Sequence, residues 1–417
     1  MSVKYPVFSE LTADVLTESE GEHTCISCIS DGGKIVPTGT FELVTPIEDF
    51  AYVPYFAFYS VPLGKFLICG GGNLFTADAA GNFFHTNYEF MASKPFMIEC
   101  KKKDGNAAKS YLFGNDFYIE ISSGVIAHRE ARLKFRHGVF KNGRLFAIDG
   151  ENAFVLRWSA PNDVLNFDKS VMGSGEVFIN HEFGEMLNLA VLDDKVVALC
   201  ENGLAVMTAY GDPENFKLTY PRAKLGKICS GTCAAVCGKL VFFADSELYS
   251  FDGREVTKID FDYSGDLSSP TCATSLGEWY FVNGTSARLG KKVVLAVNAV
   301  TKKCYYIIFE AKALCAFDSV YAVDKRGVFK LTDCASYTYE SGEIDFGKGS
   351  EKLLKSLHIG TEQGVDVTVT NGQKSRILRG VRGYCRVNMR GKRFKIKLRS
   401  NKKICGVLAF GEALSDV

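Results

Sequence analysis

Tryptophan, proline and histidine are scarce in this chain: 2 Trp, 10 Pro and 6 His among 417 residues. The histidines never pair at H-x-x-x-H or H-E-x-x-H spacing, so the helix-borne zinc-hydrolase motif is absent. No G-x-x-x-x-G-K-[ST] loop and no G-x-S-x-G elbow occurs, which removes the signatures of P-loop nucleotide binding and of the serine hydrolases. No run of 18 apolar residues is present, so no membrane-spanning helix is expected. The N-terminus has no basic start followed by an apolar stretch, and the protein is expected to stay in the compartment where it is made. Helical periodicity is nearly absent.

What remains is a strand-and-turn chain. Glycine is abundant, at 40 residues, and suits tight turns where proline is rare. Short runs rich in β-branched and aromatic residues recur, among them GRLFAID, DKVVALC, GKLVFFAD, EWYFVNG and SVYAVD. They form a repeat with clear copies at 137–159, 189–209, 233–253, 272–298 and 313–333, and looser ones at 58–84 and 109–130. The second strand of each copy begins near 65, 111, 144, 196, 240, 279 and 320, an average spacing of about 42 residues. Four antiparallel strands in such a period make one blade of a β-propeller, and a blade buries its two faces only by stacking against neighbours. The chain is therefore expected to be all-β: a propeller of seven blades, alternatively six, over residues 1–335, then a small β-sandwich over 336–417. The last copy is short, and the N-terminal stretch HTCISCIS…TGTFELV is expected to supply the strand that closes the ring. Trp-Asp, kelch and sialidase-type repeat signatures are all missing.

Fourteen cysteines lie mostly within apolar runs, as in KFLICGGG, VVALC and ALCAF, and read as reduced, buried thiols. Cys25 and Cys28 form one C-x-x-C pair with no second pair at ligand spacing. Cys229, Cys233 and Cys237 recur every four residues, which places all three on one face of a strand. No metal site and no cofactor are expected.

Charge divides the chain. Residues 350–417 hold 15 Lys and Arg against 5 Asp and Glu, whereas the rest holds 34 against 43. In KRFKIKLRS, Lys395, Lys397 and Arg399 alternate with Phe394, Ile396 and Leu398, giving one basic and one buried face. Together with Arg386, Arg390 and Arg393 they are candidates for contact with phosphates or an acidic partner, weighed evenly against a merely solvated face.

Two further segments stand out. RWSAPNDVLNF contains Trp158, Ser159, Pro161, Asp163 and Phe167; LAVMTAYGDPENF contains Asp212, Pro213 and Phe216. Each reads physically as a turn in which an Asp caps the backbone and the Phe plugs the core. They also resemble stretches of the tail nozzle, or packaged-DNA stabilisation, proteins of short-tailed bacteriophages. YESGEIDFGKGSEKLLKSLHI at 339–359 is similar to the opening of β-sandwich modules in phage tail proteins. These segments cover roughly a tenth of the chain. The resemblance implies a non-catalytic virion or prophage component, made in the host cytoplasm and assembled into the tail. It implies a homo-oligomeric ring, commonly a hexamer, that contacts portal, adaptor and other tail proteins and passes double-stranded DNA through its lumen. The rival expectation is a free-standing propeller that binds a protein or a glycan.

Overall fold

A computed structural model describes residues 10–18, 23–47, 53–78, 80–90, 94–101, 107–114, 117–122, 124–130, 133–170, 173–334, 336–347 and 349–414. The chain is a seven-bladed β-propeller followed by a β-sandwich. Blade one comprises Pro54–Ser60, Lys65–Gly70, Asn73–Ala77 and Phe83–Glu89; blade two Phe96–Lys101, Ala107–Phe113, Phe117–Ser122 and Val125–Glu130. Blade three comprises Phe135–Lys141, Arg144–Asp149, Val155–Trp158 and Gly175–Phe178; blade four Met186–Leu192, Lys195–Cys200, Leu204–Thr208 and Lys217–Thr219. Blade five comprises Ala234–Val236, Lys239–Ala244, Glu247–Phe251 and Val256–Lys258; blade six Ala273–Leu276, Trp279–Ser286, Lys291–Asn298 and Cys304–Ile307. Blade seven draws three strands from the end of the repeat, Ala313–Ala316, Val320–Asp324 and Gly327–Asp333, and its fourth, Gly39–Pro46, from the N-terminal region.

Stacking explains why the second strand of each blade is apolar throughout. In Arg144–Asp149 every residue is buried. Leu145 and Ala147 pack toward blade two with Phe96, Ile98 and Phe113. Phe146 and Ile148 pack the other way, against Leu189, Val196 and Ala198 of blade four. The same division recurs at each junction, and the cluster formed by Ala57, Phe66 and Ile68 with Tyr321 and Val323 joins blade one to blade seven and closes the ring. The hairpin between the first two strands of blade three turns on Asn142 and Gly143, both at positive φ (48° and 76°), as a two-residue Asn-Gly turn requires. At the ring closure Gly327 has φ 150°, and a Cβ there would lie 2.1 Å from the Thr45 carbonyl oxygen of the closing strand. Only glycine fits this approach.

The sandwich consists of two four-stranded layers. One is Glu10–Asp14, Val407–Ala413, Lys352–Ile359 and Gly383–Gly391; the other is Tyr337–Glu340, Lys395–Ser400, Val365–Thr370 and Ser375–Val381. Leu354, Leu357, Val387 and Ala409 of the first pack against Val367, Val369, Ile396 and Leu398 of the second. A boundary at 335/336 therefore needs correction at the N-terminal side. Glu10–Asp14 pairs antiparallel with Val407–Ala413 at the edge of the first layer, and its alternation turns Leu11 and Ala13 inward, Ala13 into the sandwich core. The N-terminal region thus serves the sandwich first and the propeller second.

Between those two duties lies Thr24–Ile26. It pairs in parallel with Cys304–Ile307, the outermost strand of blade six, and antiparallel with Tyr337–Glu340 of the sandwich. Blade six and one sandwich layer consequently belong to a single ten-stranded sheet. The core is equally continuous: Phe281, Tyr305, Leu314 and Phe329 of blades six and seven share a cluster with the sandwich interior.

Candidate interaction surfaces and the domain junction

The six basic candidates do not form one patch. Arg386 and Arg390 point outward from Gly383–Gly391, at the edge of the first layer, opposite Ser356 and Leu353. Lys395, Lys397 and Arg399 point outward from the second layer, while Ile396 and Leu398 between them are fully buried. The two outer faces look away from each other because the layers pack through their inner faces. Several of these charges are also engaged. Arg393 lies 2.7 Å from Glu343, Lys397 lies 3.5 Å from Glu340, and the Arg399 Nε donates to the Ser336 hydroxyl at 3.1 Å. Lys395, Lys397 and Arg399 share one outer face, as the alternation of their strand implies, and Arg386 and Arg390 lie on the other, since a sandwich exposes both of its outer faces.

The two turn segments lie on neighbouring blades and meet. Trp158 ends the third strand of blade three, and its indole packs edge-on against Phe216 at 5.4 Å. Phe216 also faces Phe146 at 6.0 Å, and Phe167 packs on Phe135 at 4.8 Å. Both Phe side chains thus fill space between blades. The Asp half of the expectation differs. Asp212 precedes the 3-10 turn Pro213–Asn215 without a side-chain cap, and the 160–166 turn is closed by backbone bonds from Ala160 N to Asn166 O and Asn166 N to Asp163 O. Ser159, fully buried, receives the Leu145 N–H and donates to the Ala160 carbonyl. Pro161 lies on the exposed rim of the turn. Arg144, buried at 6% exposure, donates to the carbonyls of Ser159 and Gly173 and straps the long loop to the blade. The sequence reading did not single out Arg144; an arginine opening an otherwise apolar strand is the signal that marks it.

Beside this loop lies an open cleft of about 720 Å³, lined by Phe113, Tyr118, Phe135 and Phe167 and by Arg157, Asp163, Asn166 and Asp168. Arg157 is held there by Asp149 at 2.8 Å.

The cysteine trio is not on one strand. Cys229 and Cys233 flank the 3-10 turn Ser230–Thr232, and Cys237 occupies the hairpin turn after Ala234–Val236, at φ 49°. A three-residue strand is too short to align all three. Burial pushes the Cys233 thiol up to about 12, whereas Cys237 is exposed. Among the described residues no group of three or more His, Cys, Asp or Glu side chains is placed to hold a metal ion.

The junction carries a polar network. The Cys25 N–H donates to the Tyr263 hydroxyl at 2.7 Å, and the Ser27 N–H to the Tyr306 carbonyl at 2.8 Å. Tyr263 stacks on Tyr306 at 4.4 Å, and the Arg288 guanidinium sits over the Tyr263 ring at 5.1 Å while donating to the His23 carbonyl at 2.7 Å. Asp266 accepts from Ser286, Tyr306 and the Arg288 N–H. Burial, then the hydrogen bond to the Asp266 carboxylate, raises the Tyr306 hydroxyl far above its ordinary range. None of these residues follows a motif; Tyr263, Asp266, Ser286, Arg288 and Tyr306 meet beside blade six, and the 23–27 segment joins them through the Cys25 N–H, the Ser27 N–H and the His23 carbonyl.

No protein-family model matches the sequence, and no curated protein matches it. Solved structures do match in fold. The extracellular domain assigned to a one component system of B. thetaiotaomicron superposes with a TM-score of 0.50 at 10% identity, over 91% of this chain and 62% of that one. That assigned to a hybrid two component system of the same bacterium gives 0.50 at 9% identity, over 86% and 58%. The WD40 domain of Neurospora crassa Pan2 gives 0.46 at 8% identity, over 73% and 97%. This chain thus spans about three fifths of the two bacterial domains. At such identities the likeness concerns the fold alone: it is a β-propeller. Among the described residues no helix is long and apolar enough to cross a membrane.

Proposed function

We propose that this chain is a structural component of a phage or prophage tail, one subunit of a homo-oligomeric ring through which DNA passes. One observation carries the reading: blade six and one sandwich layer are built into a single ten-stranded sheet, and the propeller and sandwich share a core. A part that bears load during assembly needs that rigidity, and a hinged binding module does not. The resemblance of the 157–167 and 204–216 turns to tail nozzle proteins supports the same reading. Portal, adaptor and other tail proteins are then the partners, and no catalytic role is assigned. The two basic strips would serve different neighbours, with Lys395, Lys397 and Arg399 on one side and Arg386 and Arg390 on the other. Light scattering tests this. A ring-sized mass, or binding of double-stranded DNA that weakens steeply between low and moderate salt, is the expected result. A salt-insensitive monomer without DNA affinity would overturn it. In that event the aromatic-and-carboxylate cleft beside Phe167 favours a free-standing propeller that binds a glycan or protein segment.

A further inference from the structure

Arg157 interrupts an apolar strand. Its neighbours Leu156 and Trp158 pack toward blade four, so Arg157 takes the opposite face, across from Ala147, which packs toward blade two. The guanidinium is held by the Asp149 carboxylate at 2.8 Å and the Glu176 carboxylate at 3.6 Å. Asp149 is fixed in turn, because it accepts the backbone N–H groups of Glu151 and Asn152 at 3.0 and 2.8 Å. Here the cleft of about 720 Å³ opens between blades two and three. Small-ligand sites have about this size, roughly 300–1,000 Å³. Its apolar wall is a chain of rings: Tyr118 lies 5.8 Å from Phe113, Phe113 6.1 Å from Phe135, and Phe135 4.8 Å from Phe167. Phe113 is buried, whereas Tyr118, Phe135 and Phe167 are half-buried and line the opening. The polar wall is the turn that follows blade three's third strand. Asn166 Oδ1 accepts the Asp168 N–H at 3.1 Å, which leaves its Nδ2 as a donor. The Asp163 carboxylate, the Asn166 Nδ2 and the Tyr118 hydroxyl have no hydrogen-bond partner among the described residues.

We propose that this cleft binds a short neutral glycan, whether the chain works within a tail or alone. One face of a pyranose ring presents C–H groups of slight positive charge, which rest on the electron-rich face of an aromatic ring. Its rim presents hydroxyls, each of which both donates and accepts. The cleft matches both features, with half-buried rings beside an unengaged acceptor, Asp163, and unengaged donors on Asn166 and Tyr118. An anion would face Asp163 and Asp168, and a cation would face the Arg157 guanidinium, so a neutral ligand is matched best. A peptide is matched less well. The strands that carry Tyr118 and Arg157 are each paired on both sides, so they offer no free edge for a peptide to extend. The polar wall is also set in advance. Backbone bonds close the 160–166 turn, and Arg144 straps the loop through the carbonyls of Ser159 and Gly173. Little loop ordering is then left for binding to supply.

The test probes one array of neutral oligosaccharides, sulfated oligosaccharides and short peptides with the intact chain. The strongest neutral binder is then titrated by calorimetry. Neutral members should bind. Asp163→Ala should weaken the Kd about tenfold or more, through loss of a charged acceptor. Tyr118→Phe keeps the ring and should weaken it less, while Lys397→Ala, on the sandwich, should leave it unchanged. Asp163 is exposed and its side chain holds nothing among the described residues, so its variant should melt like the parent chain; if it does not, Tyr118→Phe decides. The proposal is overturned if no neutral member binds, or if neutral binding is the same in Asp163→Ala and Tyr118→Phe. It is also overturned if only peptides bind, or only sulfated members in a manner that Lys397→Ala removes. Light scattering and DNA binding decide the tail reading separately, so either reading can fail alone.

Discussion

Neighbouring residues of a blade strand and of a sandwich strand have different fates. In Lys239–Ala244, Val241 packs toward blade six and Phe242 toward blade four, and both are buried. In Lys395–Ser400, Ile396 is buried and Lys397 faces solvent. A blade is covered on both sides and a sandwich layer on one, so the first reads as a continuous apolar run and the second as strict alternation. The two regions are held by different means as well. The blades stack through side chains, whereas the domains are joined through backbone hydrogen bonds to one short strand, Thr24–Ile26, and through the core beneath it.

This contrast can be broken by mutation, beginning with the largest effect. A chain lacking residues 1–46 loses the ring-closing strand, the shared strand and the sandwich edge strand together; it should show no cooperative melt, as read by circular dichroism. A native-like melt would mean that the N-terminal region is dispensable. Phe242→Ala should cost about 3–5 kcal/mol and Val241→Ala a smaller but clear amount, both measured by denaturant titration. In the sandwich, Ile396→Ala should cost about 2–5 kcal/mol but Lys397→Ala no more than about 0.5. Equal costs at 396 and 397 would contradict the one-sided burial. Arg288→Ala removes a charged hydrogen bond and a cation–π contact at the junction, and should cost about 1–3 kcal/mol in the same titration.

A pH dependence sharpens the propeller side. His137 Nδ1 accepts the Leu189 N–H at 3.1 Å between blades three and four, and burial, with Lys94 nearby, lowers its pKa from 6.5 to about 4. The folded state therefore holds the imidazole neutral where the unfolded chain protonates it. This contribution is present in full above pH 6.5 and declines as the pH falls from 6.5 toward about 4. His137→Gln should flatten that part of the stability profile; an unchanged slope would assign it to other groups.

Much of the propeller was legible because its signal is local. Continuous apolar runs at regular spacing, separated by turns such as Asn142-Gly143, mark each blade, and the short last copy called for a strand from elsewhere. The alternation of Lys395–Ser400 likewise revealed a half-buried sheet. What stayed hidden depended on which chain segments meet. Nothing in ELTAD names Val407–Ala413 as its partner. Nothing in the basic residues tells that Arg386 and Lys397 lie on opposite faces. Tyr263, Asp266 and Arg288 are unremarkable in sequence and become a network only through the folding of blade six, where Tyr306 and Arg288 each meet Tyr263 and Asp266. The Cys229, Cys233 and Cys237 spacing misled because a period assumes one continuous element, and a 3-10 turn interrupts it.

The shared strand makes a direct thermodynamic claim: propeller and sandwich unfold together. Differential scanning calorimetry of the full chain measures this. A single transition whose van't Hoff and calorimetric enthalpies agree is the expected result. Two separated transitions, one assignable to residues 336–414, would show that the strand at Thr24–Ile26 joins the domains without coupling them, and would contradict the account.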